Sequence, residues 1–370
     1  MRHLYIHVPF CRSKCAYCAF YSTTVGPPAD FFSNLIRELR LRLPAAVPET
    51  VYLGGGTPTA LGVQQLAVLA QALRRMWPGD CFRPAEWTVE TTPVLLTPEL
   101  ARQLRRDGVT RLSIGAQSFD DATLQLLGRS HRADDVHSAL QNARAAGFDN
   151  LGLDLIAAVP GVTPAIWRKT IETALSLEPQ HISVYTLSLE PGTPLAKAVA
   201  AGRFEMPSDD DQLAALDLAE EMLTSVGYER YEISNYARPG YACQHNLAVW
   251  RGEDFLGLGP AASSRESLRR RTNHPDLQAW SGALQQGKPP PADEEILTAA
   301  EDRNERLLTG LRLAEGMCPD SSAIGLYQQK KLTQLAGLGL VRQTADQRWS
   351  LTRRGREVAD SVARELLPED

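Results

Sequence analysis

The stretch HVPFCRSKCAYCAF, residues 7–20, leaves a short β-branched run, HLYIHV (3–8), and places Cys11, Cys15 and Cys18 on one tight loop. The spacing C-x-x-x-C-x-x-C supplies three thiolates. A tetrahedral structural zinc asks for four ligands, and only His3 or His7 folding back would complete the set. A [4Fe–4S] cubane normally takes four cysteines, so three leave one iron with an open position, which is where chemistry takes place. Inert core cysteines are the third reading. The bunching favours the cluster. Cys81, Cys243 and Cys318 are too widely spread to join the loop by sequence and read as small buried hydrophobes.

Outward from that loop, the chain alternates short runs with longer amphipathic stretches. The runs are 3–8, 50–55, 86–91, 111–118, 150–158 and 181–189, and helical patterns fill 31–43, 62–76, 97–107, 133–146 and 164–177. Thr97-Pro98-Glu99 and Thr163-Pro164 put proline at a first helical position. Strand and helix recurring at roughly 30–35 residues suit parallel βαβ units, and six in succession predict an α/β barrel or partial (β/α) barrel. The cysteine loop follows the first run, GGGTPT (54–59) the second, Glu90 ends the third and Gln117 the fourth. Asp154 lies in the fifth and Ser188 near the end of the sixth. Strand C-terminal ends are where such barrels assemble their sites.

After Pro191-Gly192-Thr193-Pro194 the rhythm changes. An acid-rich helix is expected over 209–226, a strand over YERYEISNYA (228–237), and a Gly-rich segment at FLGLGPAASS (255–264). The remainder predicts helices over 294–313, 321–328 and 330–338, a hairpin over 340–352 and a closing helix over 353–367. Three helices with a hairpin wing suggest a small winged-helix-like domain, which reads as a packing cap.

Composition narrows the classes. The 370 residues are 43% hydrophobic and 22% charged, with 39 Lys and Arg against 44 Asp and Glu for a net charge of −5. That excludes dominant disorder and offers no global basic field for nucleic acid. No apolar stretch long enough for a signal peptide precedes Cys11. The uncharged run 51–73 contains GGGTPT and two adjacent glutamines, which argues against a transmembrane anchor. The expected location is cytoplasmic.

GGGTPT is not the dinucleotide fingerprint, because its glycines are consecutive. Three glycines clear side chains from a strand edge and let backbone groups approach a ligand closely. Together the cysteine loop and GGGTPT resemble the radical S-adenosylmethionine (radical SAM) superfamily. Tyr5, Glu90 in VETTP, Gln117 in GAQSF, Arg129, Asp154 in LDLIAAVPG, and VYTLSLEPGTP resemble its oxygen-independent coproporphyrinogen III oxidase branch over nearly the whole chain. The resemblance implies a radical SAM partial (β/α) TIM-like barrel with a [4Fe–4S] cluster on Cys11, Cys15 and Cys18. It further implies S-adenosylmethionine at Tyr5, Tyr17, Gly55, Gly56, Thr57, Glu90, Gln117, Arg129, Asp154, Ser188 and Ser263. In it Asp154 would accept from ribose hydroxyls and Arg129 would pair with a carboxylate.

Within that branch the oxidase usually has a further cysteine where this chain has Phe20, and a longer N-terminal extension than the ten residues before Cys11. Both features resemble the heme chaperone HemW family instead. Its H-N-x-x-Y-W motif is matched by His245, Asn246 and Trp250, with Val249 in place of tyrosine. A histidine common near Ser263 is also absent from GLGPAASS. His245 then reads either as a hydrogen-bonded core or surface histidine or as a heme ligand.

The family implies a protein that binds heme and delivers it to an acceptor protein, with an electron donor such as flavodoxin or ferredoxin. The alternative is oxidative decarboxylation of coproporphyrinogen III by a radical SAM oxidoreductase, and a third reading is radical chemistry on another tetrapyrrole or a lipid. The implied domains are a barrel core at 1–200, an extension with the HN–W motif at 201–290, and a winged-helix-like unit at 291–370.

Overall fold

The computed structural model describes residues 2–43, 46–77, 81–317 and 324–367. Cys318, Pro319 and the start of the helix expected at 321 lie outside the described residues.

Six strands alternate with helices along the first half. They are β1 (His3–Val8), β2 (Thr50–Gly55), β3 (Glu86–Thr91), β4 (Arg111–Gln117), β5 (Leu151–Ala157) and β6 (His181–Thr186), with each neighbouring pair parallel and in chain order. The connecting helices are α1 (Phe31–Leu41), α2 (Val63–Met76), α3 (Pro98–Arg106), α4 (Asp121–Leu126), α5 (Ala133–Ala145) and α6 (Pro164–Ser176). Thr97 and Thr163 cap α3 and α6 by accepting from Leu100 N–H and Ile166 N–H, with proline following each cap as the sequence predicts.

Side-chain alternation decides which face of this sheet meets the helices. Leu4, Ile6, Val8, Val51, Leu53, Trp87, Val89, Leu112, Ile114, Leu153 and Val184 belong to one buried cluster with helix residues such as Leu35, Leu69 and Leu104. The intervening positions are polar or glycine: His3, Tyr5 and His7 on β1, Thr50, Tyr52 and Gly54 on β2, Glu86, Thr88 and Glu90 on β3, Arg111, Ser113 and Gly115 on β4. A period of two cannot place both sets on one face. The concave side is therefore polar, unlike the branched apolar layers that fill a closed (β/α)8 barrel.

Beyond β6 come α7 (Pro194–Ala200), α8 (Asp209–Ser225), β7 (Glu229–Arg230), β8 (Asn235–Ala237), α9 (Gln244–Trp250), β9 (Phe255–Leu258), β10 (Ser263–Glu266), β11 (Arg269–Asn273), α10 (Leu277–Gln285) and β12 (Ala292–Ile296). The sheet runs β12-β11-β10-β9-β1-β2-β3-β4-β5-β6-β8-β7, so β9 adds in parallel to β1 and the sheet stays open. YERYEISNYA forms two short antiparallel strands, β7 and β8, rather than one.

The last unit holds α11 (Ala299–Gly310), α12 (Leu326–Gly337), β13 (Val341–Gln343), β14 (Trp349–Leu351), α13 (Arg353–Glu357) and α14 (Ala359–Leu366). Its own cluster gathers Leu307, Leu311, Met317, Leu332, Leu335, Val341, Leu351, Val362 and Leu366. The helix expected from 294 begins instead at Ala299, because Glu295 and Glu294 stand opposite Arg270 and Arg271 on β11. Those cross-strand ion pairs, Arg270 with Glu295 and Arg271 with Glu294, offset the poor strand propensity of ADEEI. The two helices expected at 321–328 and 330–338 are one, α12, and the closing helix breaks at Val358.

Candidate functional site

The C-terminal ends of β1 to β6 share one edge, and the cysteine loop is sewn onto it. Cys11 N–H donates to Thr23 O at 2.9 Å, Ala16 N–H to Leu127 O at 3.0 Å, and Leu195 N–H to Ala16 O at 2.8 Å. Ala16 and Tyr17 pack against a small apolar cluster of Leu127, Ile156, Val159, Leu187 and Leu195. The thiols of Cys11, Cys15 and Cys18 are half-buried. Thr57 Oγ1 lies 3.7 Å from Cys11 Sγ, and Arg129 Nη1 donates to Cys15 Sγ at 3.1 Å. Among the described residues no group of three His, Cys, Asp or Glu gathers around a single metal ion. A cubane does not ask for that, since each thiolate takes its own iron.

The GGG run has a cause within the protein that the sequence did not show. A Cβ on Gly54 would stand 2.9 Å from the Glu90 carboxyl, on Gly55 2.5 Å from the His7 ring, and on Gly56 2.8 Å from Phe10 O. Gly55 also has φ +105°. The glycines admit protein groups: a carboxylate, an imidazole and the backbone leading into the cysteine loop.

Below the loop lies a half-buried polar cluster. Tyr52 OH donates to Glu90 Oε1 at 2.8 Å and Gly55 N–H to Oε2 at 3.2 Å. Burial, with Asp154 nearby, nevertheless pushes the Glu90 carboxyl up to about 7. Burial likewise raises Asp154, against the hydroxyls of Ser183 and Ser113; Ser113 Oγ lies 3.3 Å from both carboxylate oxygens. Tyr5 OH bonds His7 Nδ1 at 3.1 Å, and His7 Nε2 bonds Tyr21 O at 2.9 Å. Gln117 ends β4 with φ +66°, and Arg129 Nη2 donates to Gly115 O at 2.8 Å. Ser188 lies two residues beyond β6, exposed, and Ser263 opens β10 with its hydroxyl on Thr272 Oγ1 at 2.9 Å. The turn before Ser263 is close to the same edge, for a Cβ on Gly259 would stand 2.4 Å from His7 O.

The raised Glu90 carboxyl has a consequence for stability. Between its unfolded value of 4.5 and about 7 the folded chain holds a proton that the unfolded chain has lost. Its contribution is therefore present below pH 4.5 and declines as pH rises towards 7. Denaturation of the apoprotein at pH 5 and pH 8 should show Glu90→Gln gaining on wild type by about 2 kcal/mol at the higher pH. Parallel curves for the two proteins would show that Glu90 ionises normally.

His245 lies deeper, beneath Tyr5 and Tyr52, with its ring 6.4 Å and 5.2 Å from theirs. It sits in α9 at the opposite, N-terminal edge, 5% exposed, with Nδ1 2.8 Å from Thr50 Oγ1 and its N–H on Glu86 Oε1 at 3.0 Å. Thr50 and Glu86 are the first residues of β2 and β3. Burial, then His3, lower the imidazole to about 3, so it is neutral. Trp250 lies 4.4 Å from the Arg312 guanidinium of the last unit. His245 lies on the floor of the barrel, beneath Tyr52, whose hydroxyl reaches Glu90.

Sequence reasoning weighed His7 only as a zinc ligand and passed over Tyr52, Arg111 and Ser113, which join the same cluster. The alternation of polar with apolar residues along β1 to β4 is the signal that marks them.

The Radical SAM superfamily profile matches residues 5–174. Heme chaperone HemW of Bacillus subtilis (strain 168) is 31% identical over 385 aligned positions, spanning 100% of both chains. That of Mycobacterium tuberculosis (strain ATCC 25618 / H37Rv) is 34% identical over 98% of this chain and 94% of its own. The chain belongs to the HemW family.

Among solved structures, coproporphyrinogen III oxidase (HemN) from Escherichia coli, a radical SAM enzyme, superposes with a TM-score of 0.81 over 98% of this chain and 89% of its own. At 23% identity that likeness is one of fold. A HemW chain has the radical SAM architecture, which implies a [4Fe–4S] cluster and S-adenosylmethionine, and the residues here fit both. Hydroxyl and guanidinium groups already approach two of the three sulfurs, and Arg129 Nε is buried without a partner beside them. Among the described residues no helix is long and apolar enough to cross a membrane.

Proposed function

We propose that this HemW chain binds heme and hands it to an acceptor protein. The observation that carries the reading is identity of 31–34% to curated heme chaperones over essentially the full length. Phe20, exposed where the oxidase branch has a further cysteine, supports it. Cys11, Cys15 and Cys18 would hold the [4Fe–4S] cluster. Gly55, Gly56, Thr57, Gln117 and Arg129 would hold the amino-acid end of S-adenosylmethionine, Asp154 its ribose, and Tyr5, Tyr17, Glu90, Ser188 and Ser263 would complete the site. When bound, the cluster supplies one electron to that cofactor. The chain's own part is to exclude water, to keep Arg129 ionised beside Cys15, and to hold or release the Glu90 proton near neutrality.

In this conformation His245 is a buried floor residue whose Nδ1 is engaged by Thr50. Titrating heme into wild type should give a shifted Soret band that His245→Ala retains, while the variant loses about 1–2 kcal/mol of stability with its buried hydrogen bond. Loss of the band in a folded His245→Ala protein would mean that α9 leaves the floor to bind heme. Catalytic formation of protoporphyrinogen from coproporphyrinogen III, with no heme binding, would replace the chaperone reading by the oxidase.

A further inference from the structure

His131 is 3% exposed between α4 and α5, and its Nε2 lies 3.0 Å from Ala116 O. The same oxygen accepts Ser118 N–H at 2.8 Å. That i to i+2 bond closes over Gln117 at φ +66°, a γ-turn of the rare, strained hand. The ladder between β4 and β5 slips there, between Gly115 and Gln117. Both lone pairs of the Ala116 carbonyl are thus engaged, one by the turn and one by the imidazole.

The turn sets two side chains at once. Gln117 Nε2 lies 2.8 Å from where a Cβ on Gly115 would stand, so only glycine there leaves it room. The carbonyl of Gly115 holds Arg129 Nη2 at 2.8 Å while Nη1 reaches Cys15 Sγ at 3.1 Å. A relaxed backbone at Gln117 would turn the glutamine away and shift the carbonyl that steers the guanidinium.

We infer that His131 is a positioning residue, whose Nε2–H clamps the Ala116 carbonyl and so aims Gln117 and Arg129 at S-adenosylmethionine. The inference rests on the proposed placement of that cofactor against Gln117 and Arg129. Burial and then Arg129 lower the His131 imidazole to about 4, with the Ala116 carbonyl, Asp135 and Asp121 opposing, so the ring is neutral at pH 7. The carbonyl acceptor selects the tautomer with its hydrogen on Nε2.

The test is calorimetric titration of S-adenosylmethionine into full-length, cluster-reconstituted protein, with iron, sulfide and melting temperature measured on each sample. His131→Ala should weaken binding about tenfold, the worth of one lost hydrogen bond, with the cluster retained. His131→Gln, whose amide can reach the same carbonyl, should recover to within about threefold. A merely structural role would lower the melting temperature without this rescue of affinity by a donor. If His131→Ala fails to fold, His131→Gln against His131→Leu gives the same comparison, a donor against none. Wild-type affinity in His131→Ala or His131→Leu, while Gln117→Ala weakens binding, would overturn the clamp alone. Wild-type affinity in both Gln117→Ala and Arg129→Ala would overturn the placement of the cofactor, and the clamp with it.

Discussion

Cys15→Ala protein, reconstituted anaerobically with iron and sulfide, is expected to hold no [4Fe–4S] cluster, and so are Cys11→Ala and Cys18→Ala. With three thiolates each cysteine owns one iron, and removing one leaves half of a four-iron cluster without a protein ligand. The loop itself should survive. It is fastened by backbone bonds from Cys11 to Thr23, from Thr23 to Pro9, from Ala16 to Leu127 and from Leu195 to Ala16, none of which uses a thiol. The variants should therefore melt near wild-type apoprotein while the broad visible absorbance and the reduced-cluster paramagnetic signal disappear completely. Arg129 would then face an alanine instead of Cys15 Sγ, so S-adenosylmethionine binding should fall with the cluster. Iron and sulfide retained in the triple variant would refute the assignment.

Glu86→Ala should cost about 3–5 kcal/mol, the range for removing one member of a buried charged set. Glu86 is 5% exposed at the start of β3. Its carboxylate accepts Gln244 N–H at 2.9 Å, His245 N–H at 3.0 Å and the Cys243 thiol at 3.4 Å. The first N–H groups of a helix have no partner within it, and a carboxylate there also meets the favourable end of the helix dipole. Nearby Arg111 is 1% exposed, with Nη1 only 3.5 Å from Thr88 Oγ1 and Nε unpartnered, so it relies on surrounding negative groups that include Glu86. Alanine would orphan the helix start and leave that guanidinium uncompensated. Urea denaturation gives the loss directly, and Cys243, buried and pushed up to about 12 chiefly by burial, should become open to alkylation. A loss below 1 kcal/mol would show that α9 is held by its apolar side, Leu247 and Ala248, alone.

Much of the barrel was legible because its signals are local. Short runs between capped helices require only a period of two, a period near four, and threonine before proline, all written within a dozen residues. The strand at 292–296 was not, since acidic residues favour a strand only when Arg270 and Arg271 stand across from them. The break at Val358 was equally hidden. On the site, Glu90, Gln117, Arg129 and Asp154 were marked by a resemblance of motifs, whereas Tyr52, Ser113 and His131 carry no motif and become visible only where the fold brings them together.

The family and its three-thiol loop were determined by the sequence itself, because ligand spacing on a short loop is a property of neighbours along the chain. Only the tertiary structure decided what the three glycines pack against, and where His245 stands. Both depend on atoms far apart in sequence: Gly54 meets Glu90 across adjacent strands, and His245 is buried against Thr50, 195 positions earlier. A histidine followed by asparagine has the same local chemistry at either end of a barrel. Which end it occupies is set by Glu86 at the start of β3, which binds the first turn of α9 to the floor.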